Sequence, residues 1–188
     1  MKKILVTYAT KKELVQINWP TAEAGYVLTG IGKTKSAFHI ANLINSIHPD
    51  LVLNVGSAGT FTRNVGDIFV CRHFIDRDIK KVCDFGHFQL EHEIELPAEH
   101  LDFLPQCLFE NEGTCNTGDS FMTKGEALAG DVIDMEAYAQ AFACRELNTP
   151  FIAVKYVTDI IGQNSKVVWE DRLKEATEAL YNYLNQPK

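Results

Sequence analysis

Short apolar segments separated by turn residues recur along the chain and predict the strands of a sheet. Residues 4–8, 51–55 and 151–157 are apolar without regular polar alternation, which is typical of strands that are covered on both faces. Shorter apolar runs predict further strands at residues 26–29, 68–74 and 132–135. We therefore expect the centre of the sheet to be parallel.

Apolar residues at three- and four-residue spacing predict helices at residues 33–47, about 136–146 and about 169–184. The first of these carries one apolar stripe, made of Ala37, Ile40, Ala41, Ile44 and Ile47. Between residues 75 and 113 the chain is polar and has no clean period, and we expect one edge strand and one short helix there.

Strands that alternate with helices predict an α/β fold. We expect a single three-layer domain over residues 1–188, with a mixed, mostly parallel central sheet flanked by helices. The length of 188 residues suits one domain core. With 46% hydrophobic and 23% charged residues, the composition is that of a globular protein rather than a disordered one.

The balance of charge argues against a nucleic-acid partner. The chain has 18 Lys and Arg against 25 Asp and Glu, a formal charge of −7, which is the wrong sign for binding a phosphate backbone. Lys11 and Lys12 interrupt the first apolar run before a signal-peptide core could form, and no stretch approaches a bilayer span. Five cysteines without a CxxC pair indicate neither a disulfide framework nor a zinc ribbon. We expect a cytoplasmic protein with no membrane partner.

Two glycine-containing segments follow predicted strands. Gly30-Ile31-Gly32-Lys33 lies between a strand and a helix, but it lacks the spacing of a phosphate-binding loop. We interpret it as a tight turn that needs positive φ. Gly56-Ser57-Ala58-Gly59 is interpreted as a turn of small residues that ends its strand, where a ligand could approach the backbone.

Acidic residues at strand ends are the main candidates for chemistry. Asp134 and Glu136 flank Met135 at the end of one predicted strand, and Asp159 closes another. A carboxylate among apolar residues is costly unless it is paired or used. Helix capping explains these positions about equally well. Glu13, beside Lys11 and Lys12, looks like part of a solvated helix face.

The histidines and cysteines give no comparable signal. His87, Glu91, His92 and Glu93 match no zinc-binding spacing and are interpreted as a solvated loop. None of the cysteines has an adjacent histidine that could activate it. We expect neither a metal nor a cofactor.

Five segments, in order along the chain, resemble the nucleoside phosphorylase and nucleosidase superfamily. They are TGIGK at 29–33, PDLVLNVGSAG at 49–59 with VGDI at 65–68, GDSF at 118–121, DMEA at 134–137, and residues 150–159. Within the superfamily, the chain is most similar to the branch that hydrolyses methylthioadenosine and S-adenosylhomocysteine. The resemblance implies cleavage of the N-glycosidic bond of a purine nucleoside through an oxocarbenium-like sugar.

The resemblance also implies roles for individual residues. Asp159 would protonate or hydrogen-bond N7 of adenine, a role that partial burial would favour by raising its pKa. Glu136 would bind the ribose hydroxyls with Met135 against the sugar, and Glu13 would activate water near Ser57. Other positions implied at the substrate are Ala58, Gly59, Phe85, Phe121, Met122, Asp134, Lys155 and Thr158, with Ile31 and Trp169 as the apolar wall for the 5′ substituent.

Differences from the family pattern leave several activities open. Asn54 stands where phosphate-using relatives have an arginine, which favours hydrolysis over phosphorolysis. Lys155 stands where arginine is usual, Asp134 replaces a glutamate and Thr158 a serine, and the segments at 13–30 and 86–118 are short. The alternatives are a futalosine hydrolase, a nucleoside phosphorylase, and a catalytically weak nucleoside-binding protein. The family also implies a homodimer in which one subunit completes its neighbour's pocket.

Overall fold

The computed structural model describes residues 1–86, 88–97, 101–123, 128–163 and 165–186. The strands in these ranges are β1 Lys2–Tyr8, β2 Ala22–Leu28, β3 Leu51–Thr60, β4 Ile68–Asp76, β5 Glu93–Glu95, β6 Glu112–Thr117, β7 Val132–Asp134 and β8 Phe151–Ile160. The helices are α1 Lys33–Ile47, α2 Arg77–Asp84, α3 Ala137–Glu146 and α4 Ser165–Leu184, with short 3-10 helices at Lys11–Glu13 and Gln106–Phe109.

The strands form one mixed sheet that closes on itself. β1 pairs in parallel with β2 and β3, and β3 pairs in parallel with β8. β8 also pairs antiparallel with β4, which is parallel to β6. β6 is parallel to β7, and β7 returns to β3 through the single pair Gly59 and Ile133. Irregularities at Ala58/Gly59 and at Cys71/His73 are β-bulges, which bend strands and assist closure.

The core lies on both sides of this sheet. On one side, Val6 and Leu53 pack with Leu180 and Leu184 of α4. On the other side, Ile40 of α1 packs with the buried residues of α3 and with Phe151 of β8. The predicted α/β class with a mixed, mostly parallel sheet and flanking helices is therefore confirmed, whereas closure of the sheet was not predicted.

Most predicted elements are present, with some shifted ends. α1 has the predicted bounds, and α4 begins four residues earlier than predicted. The polar region after residue 75 contains a short helix, α2, and an edge strand, β5, as expected. β6 was not predicted because its sequence, EGTCNT, lacks an apolar run.

The turn predicted at residues 56–59 is wrong. β3 continues as a strand to Thr60 and is paired with β8 from Val52 to Thr60. The small residues do not reverse the chain. They are needed because acidic side chains approach the β3 backbone closely at these positions. A Cβ at Gly56 would lie 3.3 Å from Glu13 Oε1, and one at Gly59 would lie 3.2 Å from Asp159 Oδ2.

No helix among the described residues is long and apolar enough to cross a membrane. The five cysteines are free thiols, and Cys71, Cys107, Cys115 and Cys144 are buried.

Candidate active site

A cavity of about 240 Å³ lies where β3, β7 and β8 end. It brings together most of the residues predicted for a site, which come from distant parts of the chain. These are Glu13, Ile31, Ser57, Ala58, Gly59, Phe121, Met122, Asp134, Met135, Glu136, Asp159 and Trp169. The cavity therefore combines apolar walls with several acidic groups.

Glu13 is buried in this cavity wall, contrary to the solvated face expected for it. The residue is 6% exposed. Oε1 accepts hydrogen bonds from the backbone N–H and the hydroxyl of Ser57, at 3.1 and 2.6 Å. Oε2 accepts from the backbone N–H and the hydroxyl of Thr10, both at 3.0 Å. These four donors fill the lone-pair sites of an ionised carboxylate.

Ser57 connects Glu13 to the far wall of the cavity. The indole Nε1–H of Trp169 donates to Ser57 Oγ at 2.8 Å. The Trp169 ring also meets Phe121 edge-on, with centroids 6.0 Å apart. Trp169 thus joins α4 both to β3 and to the loop after β6.

Asp159 is a buried acid at the end of β8, with an exposure of 3%. The hydroxyl of Thr158 lies 2.8 Å from Asp159 Oδ1 and 3.2 Å from the Ala58 carbonyl oxygen. Thr158 itself is fully buried and is not among the cavity-lining residues. It supports Asp159 from behind the cavity wall.

Glu136 lies at the start of α3 and faces the same cavity. Its Oε1 accepts a hydrogen bond from the backbone N–H of Gly32 at 2.9 Å. Burial, followed by the negative charge of Asp134, raises the pKa of Glu136 to about 8, although Lys155 acts in the opposite direction. Glu136 therefore mostly holds a proton near neutral pH.

Asp134 and Lys155 form a buried ion pair with a 2.8 Å separation of Nζ and Oδ2. Asp134 also accepts hydrogen bonds from the Thr117 hydroxyl and the Ala137 backbone N–H. Burial opposes its ionisation, but the charge of Lys155 outweighs this and lowers its pKa. Lys155 lies behind the cavity wall and is not among the cavity-lining residues, so it reaches the site through Asp134.

The segment before α1 adopts the predicted tight turn, with φ of 80° at Gly30 and 100° at Gly32. Its backbone N–H groups are used within the protein. Gly32 donates to Glu136, and Lys33 donates to Asp119 Oδ1 at 2.7 Å. Two protein carboxylates therefore occupy the helix N-terminus at which a phosphate would bind.

Phe85 is not among the cavity-lining residues. It follows α2, and its side chain is 77% exposed. Within the described ranges, no cluster of three or more His, Cys, Asp or Glu side chains could hold a metal ion. His87 lies outside the described residues.

Arg77 is a site residue that the sequence analysis missed. Its guanidinium, 2% exposed, donates to the backbone carbonyls of Asn116, Gly118, Ser120 and Asp134 at 2.7–3.0 Å. It therefore holds the loop that leads to Phe121. An arginine directly after an apolar strand, between Asp76 and Asp78, was the available signal. The other lining residues not predicted are Ala9, Thr10, Ser120, Ile133 and Ile161.

This fold and this acidic, partly apolar cavity define a member of the nucleoside phosphorylase class. The sequence model of the phosphorylase superfamily matches residues 7–185, and the chain belongs to that superfamily. The resemblance found in the sequence is thereby confirmed.

Individual members of the superfamily that are similar to this chain include nucleosidases. A 5′-methylthioadenosine/S-adenosylhomocysteine nucleosidase of Colwellia psychrerythraea is 34% identical over 197 residues, covering 86% of this chain and 79% of the relative. The nucleosidase of Bacillus subtilis is 31% identical over 171 residues, covering 79% and 73%. The Colwellia nucleosidase in complex with adenine has a TM-score of 0.78 at 25% identity, covering 97% of this chain and 94% of that one. Futalosine hydrolase of Helicobacter pylori shares the fold, with a TM-score of 0.82 at 19% identity and coverage of 97% and 95%.

Proposed function

We propose that this protein is a purine nucleosidase that hydrolyses the N-glycosidic bond of 5′-methylthioadenosine, S-adenosylhomocysteine or a similar adenine nucleoside. The observation that carries the proposal is the convergence of Glu13, Glu136 and Asp159 on one cavity from three separate elements. The names of the nucleosidase relatives support the same substrate class.

The three acids suit the three tasks of this reaction. As the bond to the base breaks, negative charge grows on the purine, and Asp159 donates a proton to N7. Positive charge grows on the sugar, whose hydroxyls Glu136 binds. Glu13 takes a proton from the attacking water. Because four donors already fill the carboxylate of Glu13, the water replaces one of the two hydroxyl donors.

The apolar walls suit an adenine nucleoside with a modified 5′ position. Phe121 offers a ring face on which a purine can stack, and Met122 lines the same cavity. Ile31 and Trp169 line the same cavity and would contact an apolar 5′ substituent. Met135 lies between Asp134, the last residue of β7, and Glu136, which precedes α3, and it would pack against the sugar.

The charges around the cavity favour water over phosphate as the attacking group. Asn54 is buried, and its amide donates to the Thr7 hydroxyl at 3.1 Å. The terminal N–H groups of Arg77 are directed at backbone carbonyls. A phosphate dianion would therefore meet several carboxyl groups, and the terminal N–H groups of Arg77, the arginine among the described lining residues, are already in use.

We propose a homodimer as the functional form. Support comes from the apolar side chains of Phe85, Phe88 and Leu90, which are 77%, 55% and 44% exposed in one segment after α2. A partner subunit that covers these three side chains would remove their apolar surface from water. Sedimentation at micromolar concentration tests this assignment, and a monomer would contradict it.

We also propose that residues 1–188 form one domain located in the cytoplasm. One sheet contains strands from Lys2 to Ile160, and α4 packs against the same core. The free thiols of all five cysteines suit a reducing compartment.

The deciding experiment measures base release from methylthioadenosine, S-adenosylhomocysteine and futalosine, each with and without phosphate. Adenine release without phosphate supports the proposal. Release that requires phosphate would make the protein a phosphorylase, and a preference for futalosine would make it a futalosine hydrolase. Calorimetric binding of the nucleoside with no turnover over hours would indicate a binding protein.

A further inference from the structure

The contact between Trp169 and Ser57 lies beside the group that would activate water. Trp169 Nε1 is 2.8 Å from Ser57 Oγ, and Ser57 Oγ is 2.6 Å from Glu13 Oε1. The three groups form an unbroken chain from α4 through β3 to the first 3-10 helix.

The direction of each hydrogen bond in this chain is determined by its chemistry. An indole N–H can only donate, so Ser57 Oγ is the acceptor of the Trp169 bond. An ionised carboxylate can only accept, so the single proton of the Ser57 hydroxyl points at Glu13. Trp169 therefore stabilises one of the rotamers that the hydroxyl could adopt.

We propose that Trp169 is a positioning residue for the water-activating pair, in addition to forming a cavity wall. By donating to Ser57 Oγ, the Trp169 N–H keeps the Ser57 hydroxyl oriented so that it donates its hydrogen bond to Oε1 of Glu13. The attacking water then replaces the Thr10 hydroxyl as a donor to Oε2 of Glu13, and the Ser57 hydroxyl stays in place. This inference rests on the proposed nucleosidase function.

The wall role and the positioning role use different parts of the same side chain. The ring face and edge contact Phe121 and the cavity, and phenylalanine would preserve much of that surface. The N–H contact with Ser57 is lost in Trp169→Phe. The apolar wall contributes to binding of the substrate and of the transition state alike. Orienting Glu13 as the general base contributes mainly to stabilising the transition state.

A double-mutant cycle separates the two roles. We expect Trp169→Phe to lower kcat for methylthioadenosine about 3- to 10-fold, the range for one hydrogen bond, with KM changed less than about twofold. In the Ser57→Ala background, Trp169→Phe should cause no further loss of kcat, because its partner is already absent. An equal loss in both backgrounds, or a change in KM alone, would overturn the proposal.

The chain offers a matched control in its other tryptophan. Trp19 is buried outside the cavity lining, and its Nε1–H donates to the Leu184 carbonyl at 2.8 Å. Trp19→Phe should leave kcat unchanged, and a comparable loss there would contradict a specific role for Trp169. If Trp169→Phe does not fold, benzothienylalanine at position 169 keeps the bicyclic shape without the N–H, and unchanged kcat in that protein counts against the proposal. Absence of any hydrolysis by the wild type would instead defeat the proposed function itself.

Discussion

The Lys155 ammonium lies 2.8 Å from the Asp134 carboxylate, beneath the floor of the cavity, with side-chain exposures of 2% and 1%. Burial opposes both charges. The attraction of the partner nevertheless raises the pKa of Lys155 and lowers that of Asp134, so that both groups stay ionised. The negative charge thus kept on Asp134 is one reason that Glu136 holds its proton.

Removing Lys155 should destabilise the protein strongly. Lys155→Met leaves Asp134 charged and unpaired in the interior, which typically costs about 3–5 kcal/mol. The free energy of unfolding in urea measures this loss. Lys174→Met is the matched control, because the exposed Lys174 ammonium lies 3.8 Å from Glu178 and should contribute less than about 0.5 kcal/mol. Similar losses in the two variants would contradict a structural role for the buried pair.

Glu136 should make the protein less stable as the pH rises. Between its ordinary pKa of 4.5 and its folded pKa of about 8, the folded state keeps a proton that the unfolded state loses. Its contribution to stability is therefore complete below pH 4.5 and declines as the pH rises through 8. Urea titrations from pH 5 to 9 should show a steeper fall for the wild type than for Glu136→Gln. Parallel curves would contradict the assignment of this pH dependence to Glu136. The other charged groups that act on this carboxyl are Asp134, Lys155 and Glu13.

Asp159→Asn should separate catalysis from folding. The amide has the same shape and can still accept from the Thr158 hydroxyl at Oδ1, so thermal stability should change little. It cannot donate a proton to the leaving base, and loss of general acid catalysis costs about 10²–10⁴ in rate. Adenine release measures the effect, with Asp50→Asn at the exposed pair with Lys2 as a control. Wild-type turnover by Asp159→Asn would defeat the mechanism.

Glu13→Gln should reduce both kcat and stability. The carboxylate accepts two donors on each oxygen, and an amide NH₂ in place of either oxygen would face them as a donor. Leaving buried donors unsatisfied costs about 1–3 kcal/mol. Water activation is lost as well, so kcat should fall far more than nucleoside affinity. Calorimetry and melting curves check the two effects, and unchanged stability or wild-type kcat in Glu13→Gln would contradict these roles of the carboxylate.

Arg77→Met should weaken substrate binding through the loop before Phe121. Four backbone carbonyls lose their donor, and we expect KM to rise more than kcat falls. Arg63→Met provides the control, because Arg63 is half exposed and pairs with Asp131 away from the cavity lining. Steady-state kinetics of both variants test this expectation, which fails if KM is unchanged in Arg77→Met.

The sequence alone determined the elements whose stability depends on local pattern. The apolar spacing in α1 and the continuous apolar runs in β1 and β8 predicted these elements, because periodicity reports directly which face is buried. The ordered motifs predicted the family and most of the cavity-lining residues. β6 and the strand character of residues 56–59 were not predictable in this way, because their pairing with β4 and β8 overrides weak local preference.

Only the tertiary structure decided how the acids are used. Glu13 resembles a solvated residue in sequence, yet donors from Thr10 and Ser57 compensate for the loss of water around its carboxylate. Arg77 carries no local sign that its partners are carbonyls of distant residues such as Asn116 and Asp134. Burial and charge pairing depend on which segments meet in space, and the closed sheet brings those segments together from across the whole chain.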